Sequence, residues 1–170
     1  MKFTYATLLI GAVALSACTN PDRFGAGAGD GVDGGLGEAG IAGSPLDPTS
    51  PAYFQETIGD RVLFEVDQAT ISPEFQPLLA QQAQWLTQNP EYTALIEGHA
   101  DEQGTREYNL ALGARRANAV QTYLVSQGVA PNRLRTVSYG KERPLEICSE
   151  EGCYRQNRRA VTVVASGGIG

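Results

Sequence analysis

Three residues near the middle of the chain, Asp101, Asn109 and Arg116, are of types that can hold a small charged group. Arginine presents a planar fork of N–H donors that matches a carboxylate. An aspartate accepts hydrogen bonds from an ammonium. Side by side the two suit a zwitterion. They suit equally well a plain salt bridge tying a loop to a helix, and their types and spacing leave both readings open. Catalysis has less to build on. His99 is the one histidine of the chain, so an all-protein His-rich zinc site lacks its ligands. Ser138 and Ser149 have no evident His–Asp system to activate them. The residues therefore offer no catalytic centre, and neither a metal nor a cofactor is expected. His99 itself is expected to be a structural hydrogen-bonder beside the loop.

The elements that must position these residues can be read from the pattern. Arg61 to Val66 alternates apolar and polar residues and predicts a half-buried strand. Ser72-Pro73 predicts an N-cap with proline at the first helical position, opening a helix to Gln88 that ends before Asn89-Pro90. Thr93 to Glu97 reads as a second strand, Gly98 to Thr105 as a polar loop, and Arg106 to Gln127 as a long helix stopped by Gly128. Ala130-Pro131-Asn132 reads as a turn, Leu134 to Tyr139 as a third strand, and Arg159 to Val164 as a fourth. On the long helix, Leu110, Gly113, Ala117, Val120 and Leu124 are expected to face the core. Arg115 is expected to point into solvent, with Asn109 and Arg116 along one edge of the apolar stripe. Strand–helix–strand–helix–strand order predicts helices on a mixed sheet. The last strand follows a loop and is expected to pair antiparallel.

Composition places this domain at the end of a tether. The chain has 170 residues, 42% apolar and 19% charged, with mean hydropathy -0.22. That fits one domain plus appendages. A net charge of -6 argues against nucleic acid, whose binding draws on neutralised phosphates. Nine of the 20 glycines fall between Gly25 and Gly43, in a tract with few large apolar residues. Such a tract cannot bury enough surface to offset its ordering entropy. Residues 18–52 are therefore expected to be a flexible linker, residues 53–165 the folded domain, and residues 166–170 a disordered tail. The linker's 34 residues after Cys18 have an r.m.s. span of roughly 30–35 Å.

The first seventeen residues read as an address. A basic start at Lys2 and an apolar stretch from Ala6 to Leu15 predict a signal peptide, too short for a membrane span. Leu15-Ser16-Ala17-Cys18 resembles a bacterial lipobox, which implies cleavage before Cys18 and its lipidation. Thr19 stands where aspartate would favour inner-membrane retention in enteric bacteria, so the outer membrane is expected.

Five stretches carry a family resemblance. They are Val62-Leu63-Phe64-Glu65-Val66-Asp67, the loop Glu97-Gly98-His99-Ala100-Asp101-Glu102-Gln103-Gly104-Thr105, and the helix pattern from Asn109 through Leu112, Arg115-Arg116-Ala117 and Val120 to Leu124. Val137-Ser138-Tyr139-Gly140-Lys141-Glu142 and Asn157-Arg158-Arg159-Ala160-Val161 complete the set. In this order, across residues 60–164, the chain resembles the OmpA-like peptidoglycan-binding domains, and most nearly the lipoproteins among them. The resemblance implies an α+β two-layer sandwich of βαβαββ type, with helices on one face of a mixed sheet. It implies non-catalytic binding of peptidoglycan through the diaminopimelate of its stem peptide. Asp101 would take the ammonium and Arg116 the carboxylate. Asn109, Leu112, Gly104 and Thr105 would support the pocket, and Phe64, Asp67 and Glu97 would line it. It further implies a tether between outer membrane and cell wall, with TolB and other Tol proteins of the Tol–Pal system as partners in envelope integrity and cell division. Cys148 and Cys153 depart from many relatives. In an oxidising compartment they are expected to form a disulfide that closes a short loop.

Overall fold

The computed structural model describes residues 42–167. The signal peptide, Cys18, the linker up to residue 41 and the last three residues of the tail lie outside them. Four strands, β1 (Arg61–Leu63), β2 (Tyr92–His99), β3 (Leu134–Gly140) and β4 (Arg159–Ser166), form one sheet in the order β1-β4-β2-β3. β2 and β3 run parallel, as their joining helix requires. β4 enters between β1 and β2 and is antiparallel to both. The orientation expected for the last strand holds, although a helix and not a bare loop precedes it.

The helices are α1 (Pro51–Tyr53), α2 (Gln76–Gln88), α3 (Arg106–Ser126) and α4 (Glu151–Asn157). α1 continues into a π-helical stretch over Phe54–Gly59. Val62, Ala94, Ile96 and Ala160 on one sheet face pack with Leu79, Ala83 and Leu86 of α2 and Ala117, Val120 and Leu124 of α3. This is the expected α+β architecture. Each such large apolar side chain contributes about 1.5–3 kcal/mol through burial.

Several boundaries moved for identifiable reasons. β1 ends at Leu63, not Val66. The next amide, Phe64 N–H, bonds to the Arg158 carbonyl, and the chain then turns outward with Val66 exposed. Ser72 makes no side-chain cap, and Pro73–Phe75 form a 3₁₀ turn before α2 proper. α3 begins as predicted, with the Thr105 hydroxyl accepting from Tyr108 N–H. Its inward face, however, is rotated from the expected one. Leu110 is 49% exposed, while Asn109, Leu112 and Arg116 are buried beside Gly113, Ala117, Val120 and Leu124.

The end of the expected linker packs on the domain. Trp85 Nε1 donates to the Pro48 carbonyl at 2.7 Å, and the buried Ser50 hydroxyl donates to the Ser44 carbonyl at 2.6 Å. Composition does not reveal these anchors. α4, where a loop is expected from the sequence, starts inside the loop closed by the Cys148–Cys153 disulfide, whose Cα atoms are 6.0 Å apart.

Candidate functional site

The close approach of α3 to β2 brings the site together. Gly98 and Gly113 let the two backbones touch, and a Cβ on either would collide with the other's carbonyl. The loop leaving β2 therefore lies directly over the first turns of α3. Asn109 fastens it: its buried amide donates to the carbonyls of Asp101 (3.2 Å) and Gln103 (2.7 Å). Lys141 Nζ, from beyond β3, donates to the Gly104 carbonyl at 2.7 Å.

Between this loop, the segment after β1 and the start of α3 opens a cleft of about 230 Å³. Val66 and Asp67 line it from the first segment, Asp101, Gln103 and Gly104 from the loop, and Tyr108, Asn109 and Leu112 from the helix. Asp67 has a left-handed backbone, with φ 59°, and its carboxylate accepts from the Tyr108 hydroxyl. A non-glycine residue held in this conformation is often found at a binding site. Asp101 Oδ1 accepts from Gln103 N–H at 3.3 Å, and Oδ2 meets Arg158 Nη1 at 3.2 Å.

Arg116 lies behind the cleft lining, fully buried. Its Nε donates to the Gln68 carbonyl (2.8 Å), Nη1 to the His99 carbonyl (2.8 Å) and Nη2 to the Glu65 carbonyl (3.1 Å). Its guanidinium carbon stands 5.2 Å from the Phe64 ring centre. Burial lowers its pKa to about 10, opposed by the Asp101 and Asp67 carboxylates, so it stays cationic at neutral pH. Arg116 thus joins both loops of the cleft and places a positive charge beneath two carboxylates. A direct salt bridge with Asp101 is not formed. Asp101 pairs with Arg158 instead.

Five of the expected residues, Asp67, Asp101, Gly104, Asn109 and Leu112, line this one cleft. Thr105 caps the helix at its edge, and Phe64 packs on Arg116. Glu97 does not line it: its carboxylate lies 3.6 Å from His99 Nε2. Val66, Gln103, Tyr108 and Arg158 were not singled out from sequence. Val66, Gln103 and Arg158 did stand in the quoted stretches, without a role.

His99 corrects an expectation. Its ring is buried against Tyr139, centroids 5.5 Å apart, and neither ring nitrogen has a hydrogen-bond partner among the described residues. Only its carbonyl serves, as an acceptor for Arg116. Burial, with the charges of Arg159 and Arg143, lowers its pKa to about 4, so it is neutral at pH 7. Among the described residues, no group of three His, Cys, Asp or Glu side chains could hold a metal ion.

Comparison with known proteins agrees with this fold. The OmpA family model matches residues 63–159. The peptidoglycan-associated lipoprotein of Agrobacterium fabrum is 48% identical over 158 residues, covering 93% of this chain and 85% of that protein. The one from Mesorhizobium japonicum is 53% identical over 137 residues, covering 81% and 79%. Among solved structures, the peptidoglycan-associated lipoprotein from Burkholderia pseudomallei superposes with TM-score 0.64 at 41% identity, over 72% of this chain and all of that one. The C-terminal domain of Helicobacter pylori MotB shares the fold, with TM-score 0.59 at 22% identity, over 64% of this chain and 85% of that one. From the matched domain and these relatives, the chain belongs to the OmpA family and groups within it with the peptidoglycan-associated lipoproteins.

Proposed function

We propose that the cleft binds peptidoglycan without cleaving it, by holding the zwitterionic end of diaminopimelate in the stem peptide. One observation carries this reading: two carboxylates, Asp67 and Asp101, converge on a small cleft over the buried guanidinium of Arg116. An ammonium entering the cleft finds acceptors on both sides. A carboxylate on the same carbon would be repelled by those two groups alone, and Arg116 supplies the opposing charge. The names of the relatives support association with peptidoglycan.

The remainder of the role follows from the sequence. Cys18, lipidated, would anchor the chain in the outer membrane, with the domain in the periplasm. One acyl chain binds only marginally, so stable anchoring takes more than one. The tether would then confine the domain near the wall, where effective concentration compensates for modest affinity. On the family resemblance, TolB and other Tol proteins are its protein partners, and envelope integrity and cell division its setting.

Co-sedimentation of the purified chain with peptidoglycan sacculi tests the reading. Wild-type protein is expected in the pellet and Asp101→Asn in the supernatant. A wild-type chain that stays in the supernatant overturns the peptidoglycan assignment and moves the function to a protein partner.

A further inference from the structure

Arg158 is a shared cation. Its Nη1 reaches Asp101 Oδ2 at 3.2 Å and Glu151 Oε2 at 3.5 Å, and its Nη2 makes a closer contact with Glu151 Oε1. Its Nε donates to the Phe64 carbonyl at 3.1 Å, which holds the guanidinium in place whichever carboxylate it favours. Arg158 is buried, whereas Glu151 is at the surface. The two residues bracket α4: Glu151 opens it and Arg158 follows its last residue. Glu151 also lies inside the loop closed by Cys148–Cys153.

The electrostatic consequence concerns Asp101. A guanidinium 3.2 Å from a carboxylate competes with any cationic group that approaches the same carboxylate. Glu151 draws the Arg158 charge from the other side. We propose that Glu151, held at the start of α4 by the disulfide, is a positioning residue that sets the affinity of Asp101 for a cationic group by sharing Arg158. The proposal rests on the reading of the cleft as a peptidoglycan site. The Arg158 hydrogen bond holds the Glu151 carboxyl below its usual range, so the competing charge is present at neutral pH.

The disulfide makes this arrangement sensitive to thiols. A dithiol reductant transfers two electrons and two protons to Cys148 and Cys153. It forms both thiols by way of a mixed disulfide and leaves as its own disulfide. The start of α4 then depends on the bonds from the Cys153 and Tyr154 amides to the Glu150 carbonyl. As Glu151 frays outward, Arg158 is left to Asp101.

Co-sedimentation of the full chain with sacculi, with and without a dithiol, tests this. Glu151→Gln is expected to bind about fivefold more weakly than the oxidised wild type, in line with couplings inside charge networks. Reduction should weaken the wild type by a similar factor and leave Glu151→Gln unchanged. The Cys148→Ser, Cys153→Ser double variant should bind like the reduced wild type and ignore the dithiol. Glu151→Asp should recover most of the affinity. On sacculi whose free amines have been acetylated, wild type and Glu151→Gln should bind alike. Equal or tighter binding by Glu151→Gln, or a loss that persists on acetylated sacculi, overturns the proposal. No binding by the oxidised wild type overturns instead the peptidoglycan reading beneath it.

Discussion

Gly98 of β2 and Gly113 of α3 meet backbone to backbone, so that a Cβ at Gly98 would stand 1.8 Å from the Gly113 carbonyl oxygen. No side-chain rotation relieves such a contact, because the obstacle is helix backbone. Gly98→Ala must therefore push α3 off the sheet, carrying Asn109 and Arg116 away from the loop they fasten. We expect a loss of about 3 kcal/mol, toward the upper end of overpacking costs. Urea denaturation of the variant would measure it, and a stability equal to wild type would contradict the close approach.

Asp101 and Arg116 should separate binding from folding. Asp101→Asn keeps the size of the side chain and leaves Arg158 its Glu151 partner. Its expected phenotype is at least about tenfold weaker peptidoglycan binding, within the 1.5–3 kcal/mol of a charge-assisted bond. Arg116→Ala should instead unfold or strongly destabilise the domain. It strips the carbonyls of Glu65, Gln68 and His99 of their donor at once. Removing one partner from a buried charged network costs about 3–5 kcal/mol. Denaturant midpoints for the two variants, read beside their binding, decide this. A stable Arg116→Ala that merely fails to bind would restore the simpler view of Arg116 as a ligand contact alone.

His99 makes a pH prediction with a definite sign. Its folded pKa of about 4 lies below the unfolded value of 6.5. Between these values the unfolded chain binds a proton that the native ring refuses. Stability is therefore complete above about pH 7, falls as pH drops from 6.5 toward 4, and loses nothing further to this group below. At 1.36 kcal/mol for each pH unit, the window spans about 3 kcal/mol. His99→Phe replaces a ring whose nitrogens have no partners, so it should fold and show a shallower fall over the same range. Urea midpoints at pH 4.5, 5.5 and 7.5 would reveal the difference. Parallel curves would show that His99 is not the titrating group.

What the sequence discloses depends on how local the determining interactions are. Gly128 as a helix stop and the start of β1 at Arg61 act within a few residues, and both were legible. So were Asp101, Asn109 and Leu112, through their types and the family pattern. The buried arginines were not. Arg116 was read as reaching for a ligand, yet it spends its donors on carbonyls up to 51 residues away in sequence. Arg133 likewise binds the carbonyls of Leu86, Asn89 and Tyr92, where α2 ends and β2 begins. No local pattern distinguishes such an arginine from a solvated one. Leu110 shows the converse. Inward rotation of the buried polar residues Asn109 and Arg116 turned an apolar side chain out to solvent, against the usual stripe.

The last prediction concerns the tether and rests on Cys18. The anchoring proposal places all membrane affinity in the lipids attached to this one cysteine. Among the described residues no helix is long and apolar enough to cross a membrane and so substitute for them. At about 0.8 kcal/mol for each buried CH₂, the loss of the acyl chains removes far more than the exposed apolar side chains of the domain could replace. Cys18→Ala should therefore leave the membrane fraction, while its binding to isolated sacculi stays at the wild-type level, because the cleft is untouched. Fractionation of cells expressing the variant, followed by co-sedimentation of the purified protein, checks both halves. Retention of Cys18→Ala in membranes stripped of peptidoglycan would show that something other than the lipid holds it there.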